Sequence, residues 1–431
     1  ELNSMKVLIM PGGISGKVSA IPSKSHLHRI LIYAALSDGE TNIFCRETNA
    51  EDIRATIDCL MALGAVISKN ENGFSVSPID GEKLPVNSEK PLILPCCESG
   101  STLRFMLPVI NALGVHGAFH MEGRLSQRPL VPLDEQLKKH GIEIWNESEN
   151  VLCCKGQLIP ADDYILPGNI SSQYISGLLM ALPLLNKPSR LSVTAPIESA
   201  DYIELTLNTA EKFDCEIKMK GTEYEITPTA FKSPKTIEAE GDWSNSAFWL
   251  CAGAMQGGDI KMTGLNRSST QGDREIYEIL EKMGAKISCE GGEIHVQEDR
   301  RRIIEINGSA IPDLIPVLAA VASVGEGETV FKNAERLRIK ESDRLMSTTK
   351  TLSALGADIC ETQDGLLVRG KKSLRGGIID AHGDHRIAMT AAIASAACTE
   401  NVVITGAQAV NKSYPAFWSD LRSLGKTIIE E

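Results

Sequence analysis

Basic side chains gather at the openings of short apolar segments in this chain. Lys24 and Arg29 flank the first segment, Arg104 lies one turn into the second, and Arg386 stands at the opening of the last. Helix N-termini carry unpaired N–H groups and a partial positive charge, so cations beside them form an anion-binding site. One such cation alone is usually a solvated surface charge. Their recurrence at matching points of a repeat predicts a shared anionic ligand.

A second concentration of charge is the run Arg338-Ile-Lys340-Glu341-Ser-Asp343-Arg344. Such a run is commonly a helix face with local ion pairs, each worth a few tenths of a kcal/mol. The alternative is a loop that leads into a helix and offers cations to a phosphate and a carboxylate for proton transfer. Asp313, directly after Pro312, either stabilises a helix dipole or serves as a base in a cleft. These residues favour an enzyme that holds anionic substrates between two lobes and moves protons with lysine and acidic side chains.

Hydroxyl groups cluster at a third place, Ser171-Ser172-Gln173, just before an apolar segment. A plain N-cap, worth about 1 kcal/mol, needs only one of them. The surplus of polar groups indicates a phosphate or polyol ligand. Gly100, within Glu98-Ser-Gly-Ser, either eases a turn or permits close approach of the backbone to a ligand.

Composition and motifs argue against several other classes of protein. The net charge of −12 is opposite to the basic surface that nucleic acids and anionic membranes attract. The sequence has no Walker loop and no G-x-G-x-x-G, H-E-x-x-H or G-x-S-x-G motif. The eleven cysteines include vicinal pairs rather than C-x-x-C spacing, and we expect them to be reduced. We predict neither a metal nor another cofactor.

The apolar stretches indicate buried helices and not membrane spans. The longest, such as Phe105–Leu113 and Ala247–Met255, are too short to cross a bilayer. No basic segment followed by an apolar one precedes them, as a secretory signal would require. We therefore expect a cytoplasmic protein.

The elements that position these residues repeat about every 70 residues, a period typical of internal repetition. Six short apolar helices are predicted, each opening on a small polar or charged turn. The openings are Ser23-Lys24-Ser25, Glu98-Ser99-Gly100-Ser101, Ser171-Ser172-Gln173, Asp242-Trp243-Ser244-Asn245, Ile311-Pro312-Asp313 and Gly383-Asp384-His385-Arg386.

A second repeated element follows each apolar helix. An amphipathic helix ends, a glycine (once an aspartate) takes the position after its C-cap, and an alternating strand begins. These residues are Gly64, Gly141, Asp214, Gly284, Gly356 and, in a weaker copy, Gly425. Each unit therefore reads strand, buried helix, strand, amphipathic helix and one or two further strands, a βαβαββ pattern of the α/β class.

Six such units in 431 residues predict two lobes of three units each. We place one crossing between lobes near Ala20-Ile-Pro22 and the other within Lys232–Gly241. The predicted lobes are residues 1–20 plus 239–431, a discontinuous lobe, and residues 21–238. We expect the active site in the cleft between them.

At these residues the chain closely resembles the 5-enolpyruvylshikimate-3-phosphate synthases, a family of enolpyruvyl transferases. The resemblance runs from residue 22 to Lys412 in the order and spacing of the family. It is carried by Pro22-Ser-Lys24-Ser25-His-Leu-His28-Arg29, Ser99-Gly100-Ser-Thr-Leu-Arg104-Phe, Gln127-Arg128-Pro129, Ser171-Ser172-Gln173, Arg338-Ile-Lys340-Glu341-Ser-Asp343-Arg344-Leu and Gly383-Asp384-His385-Arg386-Ile-Ala-Met.

The resemblance implies a two-lobed "inside-out" α/β barrel of six units and a specific reaction. The enolpyruvyl group of phosphoenolpyruvate passes to the 5-hydroxyl of shikimate 3-phosphate through a tetrahedral intermediate, and phosphate is released, a step of chorismate and aromatic amino acid biosynthesis. The implied catalytic residues are Asp313, which accepts the hydroxyl proton, Glu341, which protonates the methylene carbon, and Lys24, which shares in the proton transfers. The implied shikimate 3-phosphate residues are Lys24, Ser25, Arg29, Ser171, Ser172, Gln173, Ser199, Asp313 and Lys340, and those for phosphoenolpyruvate are Lys24, Gly100, Arg128, Gln173, Arg344, Arg386 and Lys412.

Two alternatives remain open at this point. The first is the sister activity, UDP-N-acetylglucosamine 1-carboxyvinyltransferase, whose members usually carry a reactive cysteine ahead of their Arg-Pro motif. Here Glu122-Gly-Arg-Leu-Ser-Gln127 contains no cysteine. The second is a non-catalytic anion-binding protein of the same fold, against which Lys24, Asp313 and Glu341 argue. We expect a monomer whose partners are the two small-molecule substrates, with neither nucleic acid nor membrane.

Overall fold

The computed structural model describes residues 5–46, 48–299 and 304–431, and elements are numbered here in chain order within those ranges. The helices are α1 (Lys24–Ala35), α2 (Glu51–Ala62), α3 (Gly100–Ala112), α4 (Leu133–Lys139), α5 (Ser172–Ala181), α6 (Ala200–Lys212), α7 (Trp243–Ala254), α8 (Ile276–Lys282), α9 (Ile315–Ala322), α10 (Arg344–Ala354), α11 (His385–Ala394) and α12 (Phe417–Ser423).

The strands of the first half are β1 (Lys6–Ile9), β2 (Ser15–Ser19), β3 (Thr41–Phe44), β4 (Val66–Asn70), β5 (Gly73–Ser77), β6 (Leu92–Cys97), β7 (Gly117–Met121), β8 (Ile142–Ser148), β9 (Val151–Gly156), β10 (Tyr164–Pro167), β11 (Ser189–Thr194) and β12 (Lys218–Lys220). Those of the second half are β13 (Glu223–Ile226), β14 (Thr236–Glu238), β15 (Asp259–Thr263), β16 (Lys286–Glu290), β17 (Glu293–Gln297), β18 (Glu305–Asn307), β19 (Glu328–Lys332), β20 (Asp358–Glu361), β21 (Leu366–Arg369), β22 (Gly377–Asp380), β23 (Val402–Thr405) and β24 (Ile428–Glu430).

Buried and amphipathic helices alternate along the chain, as the sequence predicts. Every residue of α9 and of α11 is buried, whereas α2 buries only one face. A helix that is apolar all round has no side to offer to water, so other elements must surround it. The odd-numbered helices are therefore the cores around which the sheets and the even-numbered helices pack.

Side-chain caps begin five of the six buried helices at the predicted turns. Ser23, Ser99, Ser171, Asp242 and Asp384 each accept a hydrogen bond from a backbone N–H two or three residues further on. The exception is α9, which is preceded by a 3₁₀ turn over Pro312–Leu314. Because Pro316 has no N–H to bond the carbonyl of residue 312, the α-helix starts only at Ile315.

The residues after the amphipathic helices also take the predicted conformation. A residue in the left-handed region ends a helix, and glycine adopts it without steric cost. The φ angles are +100° at Gly64, +98° at Gly141, +57° at Asp214, +94° at Gly284, +94° at Gly356 and +92° at Gly425.

The strands form six four-stranded sheets that share one topology within the described residues. In each sheet an outer strand runs parallel to its neighbour, and two antiparallel strands follow. The orders are β14-β3-β5-β4, β6-β7-β9-β8, β10-β11-β13-β12, β2-β15-β17-β16, β18-β19-β21-β20 and β22-β23-β1-β24. The predicted α/β class and its six repeated units are confirmed.

The chain divides into two compact units. Unit 1 comprises Glu1–Ile21, Thr48–Ala50 and Glu240–Glu431, and unit 2 comprises Pro22–Glu47 and Glu51–Ala239. Two first strands are exchanged where the chain passes between units: β2 precedes α1 but pairs with β15, and β14 precedes α7 but pairs with β3. As a result each unit holds three complete sheets. None of the described helices combines the length and apolar character needed to cross a membrane.

Candidate functional site

In unit 1 the predicted acids and cations meet around Asp313. Its carboxylate accepts hydrogen bonds from Arg344 Nη1 at 2.7 Å and from Arg386 Nη2 at 3.2 Å. Lys340 Nζ lies 3.9 Å from the same carboxylate. The 3₁₀ turn before α9 places Asp313 there, while Arg344 begins α10 and Arg386 lies in the first turn of α11. Three elements from two successive repeats thus converge on one carboxylate.

Arg344 is the most buried cation of this cluster, with only 1% of its side chain exposed. Its Nε and Nη2 donate to the two oxygens of Asp384 at 2.7 and 3.2 Å, and Nη2 also contacts Glu341 Oε2 at 2.6 Å. One guanidinium therefore faces three carboxylates, since Asp313 receives Nη1. Such charge-assisted bonds are shorter and stronger than neutral ones.

Asp384 links this ion cluster to the helix that follows. Its carboxylate accepts hydrogen bonds from the backbone N–H of Arg386, as the N-cap of α11, and from the hydroxyl of Ser342. Sequence reasoning placed Asp384 in a helix opening but gave it no role toward Arg344. Because the two residues are 40 positions apart, only the fold could show that they pair.

Burial and the neighbouring charges together shift three pKa values in this cluster. Burial alone would raise the pKa of Asp313, but the charges of Arg386, Lys340 and Arg344 outweigh it and hold the pKa well below its ordinary range. Burial lowers the pKa of Lys340 to about 8, despite the opposing charge of Asp313. Burial also acts to lower the pKa of Arg344, and its three carboxylates more than reverse that effect. Asp313 is therefore ionised at neutral pH.

Lys412 adds another cation at the start of α11. It is buried and donates to the carbonyl of Gly383, just before the N-cap of that helix, at 2.8 Å. The same turn has Gly383 in the left-handed region with φ +64°. The start of α11 therefore has two cations, Arg386 from the helix itself and Lys412 from a separate 3₁₀ turn.

In unit 2 the guanidinium of Arg29 is buried and stacks on the ring of Phe105 at 4.9 Å. It donates to the carbonyl of Ser25 at 2.7 Å and to three oxygens of α5 and α6. Burial lowers its pKa to about 10. The described residues offer it no carboxylate partner, so the cation is left to attract an anion from elsewhere.

Gly100 lies against two guanidinium groups. A Cβ atom at this position would be 2.7 Å from Arg128 Nη1 and 2.8 Å from Arg104 Nη1. Arg104 in turn donates to Gln173 Oε1 at 2.8 Å, and Gln173 Nε2 donates to Ser101 Oγ at 2.9 Å. The predicted residues Gly100, Arg128 and Gln173 thus form one contiguous group at the starts of α3 and α5.

Lys24 occupies the first position of α1 and pairs with Asp52 of α2 at 2.5 Å. Asp52 is a site neighbour that sequence reasoning missed, because no local pattern distinguishes it from other acids in a first helical turn. A buried chain of hydrogen bonds also leads from His28 Nδ1 through Thr56 and Thr102 to Ser99, the N-cap of α3. The starts of α1 and α3 are therefore held together by polar contacts.

The remaining predicted residues lie at helix starts of unit 2. Ser171 caps α5 with its side chain, and Ser172 is the first residue of that helix. Ser199 precedes α6 with φ +54°, a left-handed conformation that costs energy for a residue with a side chain. Backbone strain of this kind is concentrated at functional sites.

The predicted site residues thus form two clusters, one in each unit. Unit 1 holds Asp313, Lys340, Glu341, Arg344, Arg386 and Lys412, and unit 2 holds Lys24, Ser25, Arg29, Gly100, Arg128, Ser171, Ser172, Gln173 and Ser199. Each cluster combines buried cations with helix N-termini, an arrangement suited to phosphate and carboxylate groups.

Comparison with known proteins identifies what the chain is similar to. A family model described as EPSP synthase (3-phosphoshikimate 1-carboxyvinyltransferase) matches residues 10–421. A relative named 3-phosphoshikimate 1-carboxyvinyltransferase from Clostridium kluyveri is 42% identical over 430 residues, which are 98% of this chain and 98% of the relative. One of the same name from Clostridium acetobutylicum is 41% identical over 427 residues, again 98% of each chain.

Solved structures support the same relationship. The EPSP synthase from Acinetobacter baumannii superposes with a TM-score of 0.80 at 25% identity, covering 99% of this chain and 100% of its own. The enolpyruvyl transferase NikO from Streptomyces tendae gives a TM-score of 0.78 at 16% identity, with 99% of each chain covered, and so shows the fold alone. The predicted two-lobed inside-out α/β fold class is confirmed.

Proposed function

The chain belongs to the EPSP synthase family, and on that premise we propose that it is a 3-phosphoshikimate 1-carboxyvinyltransferase. It transfers the enolpyruvyl group of phosphoenolpyruvate to the 5-hydroxyl of shikimate 3-phosphate and releases phosphate. The observation that carries the proposal is the placing of two acids, Asp313 and Glu341, on the buried guanidinium of Arg344. A protein that only bound anions would need no such pair of proton carriers.

The cluster of unit 2 is proposed to hold shikimate 3-phosphate. Ser171, Ser172 and Ser199 supply hydroxyls and helix N–H groups for its phosphate, while Ser25 and Arg29 approach from α1. Lys24, Gln173, Lys340 and Asp313 complete the set, the last two from unit 1. Asp313 is the member placed to receive the 5-hydroxyl.

We propose that cations of both units bind phosphoenolpyruvate. From unit 2 come Arg128, which lies against Gly100, Gln173, which accepts a hydrogen bond from Arg104 beside the same glycine, and Lys24 at the start of α1. Arg344, Arg386 and Lys412 come from unit 1. Two unit charges 4 Å apart attract by about 4 kcal/mol at an effective dielectric of 20, so several cations are needed to gather two phosphates and two carboxylates. We propose, as the sequence predicts, that the active site lies between a lobe of residues 1–20 plus 239–431 and a lobe of residues 21–238.

We propose that the two acids of the unit 1 cluster carry out the proton transfers that the family resemblance implies. In the addition step the 5-hydroxyl loses its proton to Asp313, its oxygen bonds to C2 of phosphoenolpyruvate, and Glu341 in its protonated form gives its proton to C3. In the elimination step Glu341 takes a proton back from C3, the C2–C3 double bond re-forms as the C2–O bond to phosphate breaks, and the proton on Asp313 passes to the departing phosphate. Lys24 shares in these transfers. Anionic ligands that take up the charge of Arg386 weaken its hold on Asp313, which makes that carboxylate a stronger base.

The experiment that tests the proposal is a phosphate-release assay with phosphoenolpyruvate and a choice of acceptor. We expect turnover with shikimate 3-phosphate and none with UDP-N-acetylglucosamine. Turnover with the nucleotide sugar alone would assign the sister activity, and no turnover with either would leave an anion-binding protein. We further propose a cytoplasmic monomer that needs no cofactor, which light scattering and assays after chelation can test.

Substitution of Gly100 by alanine is expected to raise the KM for phosphoenolpyruvate. The new Cβ would press on Arg128 and Arg104, and overpacking of this kind costs about 1–3 kcal/mol, or roughly a 5- to 150-fold change in KM. The Kd of shikimate 3-phosphate alone should change less than about threefold. Gly81→Ala is the matched control, because no atom lies within 4 Å of its Cβ position. Equal KM values for the two variants would contradict the proposed contact.

The pH dependence of kcat/KM for shikimate 3-phosphate should report Lys340. Its pKa is lowered to about 8, so the free enzyme loses this positive charge as the pH rises through that value, and attraction of the anion weakens. We expect kcat/KM to fall roughly tenfold between about pH 7.5 and pH 9.5. Lys340→Arg keeps its charge over this range and should abolish the decline. A decline of the same size in both enzymes would show that another group is responsible.

A further inference from the structure

The guanidinium of Arg29 is held by four neutral oxygen atoms. Its Nε donates to Thr206 Oγ1 at 2.8 Å, and Nη1 donates to the carbonyl of Ser25 at 2.7 Å. Its Nη2 donates to Ser176 Oγ at 3.3 Å and to the carbonyl of Tyr202 at 2.9 Å. Four of the five N–H donors of this arginine are thereby used, and among the described residues the second N–H on Nη1 has no acceptor.

These contacts join three helices close to their N-termini. Arg29 belongs to α1, Ser176 to α5, and Tyr202 and Thr206 to α6. Each acceptor lies within the first two turns of its helix. The starts of α1, α5 and α6 carry Ser25, Ser171-Ser172 and Ser199, which are the hydroxyl groups assigned above to shikimate 3-phosphate.

Thr206 is the central acceptor of this set. Its hydroxyl oxygen receives Nε of Arg29 and also lies 2.8 Å from Ser176 Oγ and 3.0 Å from the carbonyl of Tyr202. It thus contacts all the other members from α5 and α6. The side chain is fully buried, so no water can replace its oxygen without a change in packing.

We propose that Thr206 and Ser176 are positioning residues for shikimate 3-phosphate. They fix the plane of the Arg29 guanidinium, which in turn aligns the three helix starts and points the remaining Nη1 N–H toward the ligand. Neither residue touches the ligand. This inference rests on the proposed function only in naming the ligand, since the contacts themselves belong to the free protein.

The test replaces Thr206 by valine, which keeps the shape of the side chain and removes the oxygen. We expect the KM for shikimate 3-phosphate to rise at least tenfold while the KM for phosphoenolpyruvate and kcat change less than threefold. Thr206→Ser restores the acceptor and should return the KM to within threefold of the unmodified enzyme. Ser176→Ala removes the longer contact and should have a smaller effect in the same direction.

Thr209→Val is the matched control on the same helix. Thr209 is equally buried, and its hydroxyl donates to the carbonyl of Leu205 at 2.6 Å rather than to Arg29. If Thr206 served packing alone, the two valine variants would raise both KM values alike. That result, or a KM for shikimate 3-phosphate that stays unchanged in Thr206→Val, would overturn the inference.

A second measurement needs no substrate and separates this inference from the proposed function. The Nε–H proton of Arg29 can be followed by NMR, and we expect its exchange with water to become at least tenfold faster in Thr206→Val but not in Thr209→Val. If the unmodified protein showed no turnover, the proposed function would be refuted. The exchange rate of the Arg29 Nε–H would still test the contact with Thr206. Equal exchange rates in both variants would refute the positioning role.

Discussion

Replacement of Arg344 by methionine is expected to lower the free energy of unfolding by about 3–5 kcal/mol, because it leaves buried carboxylates without their cation. Asp384 is fully buried and loses both of its bonds to the guanidinium. Asp313 and Glu341 each lose the hydrogen bond that the guanidinium donates to them. The loss should be largest at neutral pH, where Asp313 is ionised because the neighbouring cations hold its pKa well below the ordinary range. Urea denaturation followed by circular dichroism measures it.

A double variant tests the cause of this loss. Arg344→Met combined with Asp384→Asn removes one uncompensated charge and keeps a residue that can cap α11, so it should recover part of the stability. Arg369→Met, which breaks exposed pairs with Glu328 and Asp358, is the control and should cost no more than about 1 kcal/mol. A similar loss for Arg344→Met and the control would show that the buried cluster contributes little.

Replacement of Asp313 by asparagine is expected to lower kcat by about 10²- to 10⁴-fold, the usual contribution of a positioned base. The amide has nearly the same shape but cannot accept the 5-hydroxyl proton. It also ends the attraction that draws Arg344, Arg386 and Lys340 to one point. Steady-state assays at saturating substrates give kcat, and calorimetry gives the Kd of shikimate 3-phosphate.

Asp358→Asn, on the exposed edge of unit 1, is the matched control and should leave kcat unchanged. A Kd within about tenfold of the unmodified value would show that binding survives in Asp313→Asn, so that the loss belongs to the chemical step. A kcat within threefold of the unmodified value would exclude Asp313 as the base.

The repeated architecture could be predicted because its signals are local. A polar cap before an apolar run, and a glycine after an amphipathic one, each act within a single turn of helix. The structure places Ser99 and Asp384 at such caps and gives Gly64 and Gly356 positive φ angles. The start of α9 departs from the pattern because two prolines, at 312 and 316, tighten the first turn. The lobe boundaries stay a prediction.

The partners of the site residues could not be predicted, because they are distant in sequence. Thr206 is 177 positions from Arg29, and Asp384 is 40 positions from Arg344. Spacing within a motif carries no information on such pairs. The local course of the charged run is the loop-to-helix alternative: Lys340, Glu341 and Arg344 lie where a 3₁₀ turn leads into α10. The roles of these residues in catalysis stay proposals.

The position of β1 has a consequence for biosynthesis. This strand lies between β23 and β24, and Lys6 pairs with Thr405. Ribosomes add about 5–20 residues per second, so roughly 20–80 s separate the emergence of β1 from that of its partners. During this interval the sheets of unit 2 can close, since their strands lie between residues 22 and 239. The sheet that contains β22 and leads into α11 is completed last. In a nascent chain released early, the start of α11, where Asp384 and Arg386 lie, would therefore lack the sheet that supports it.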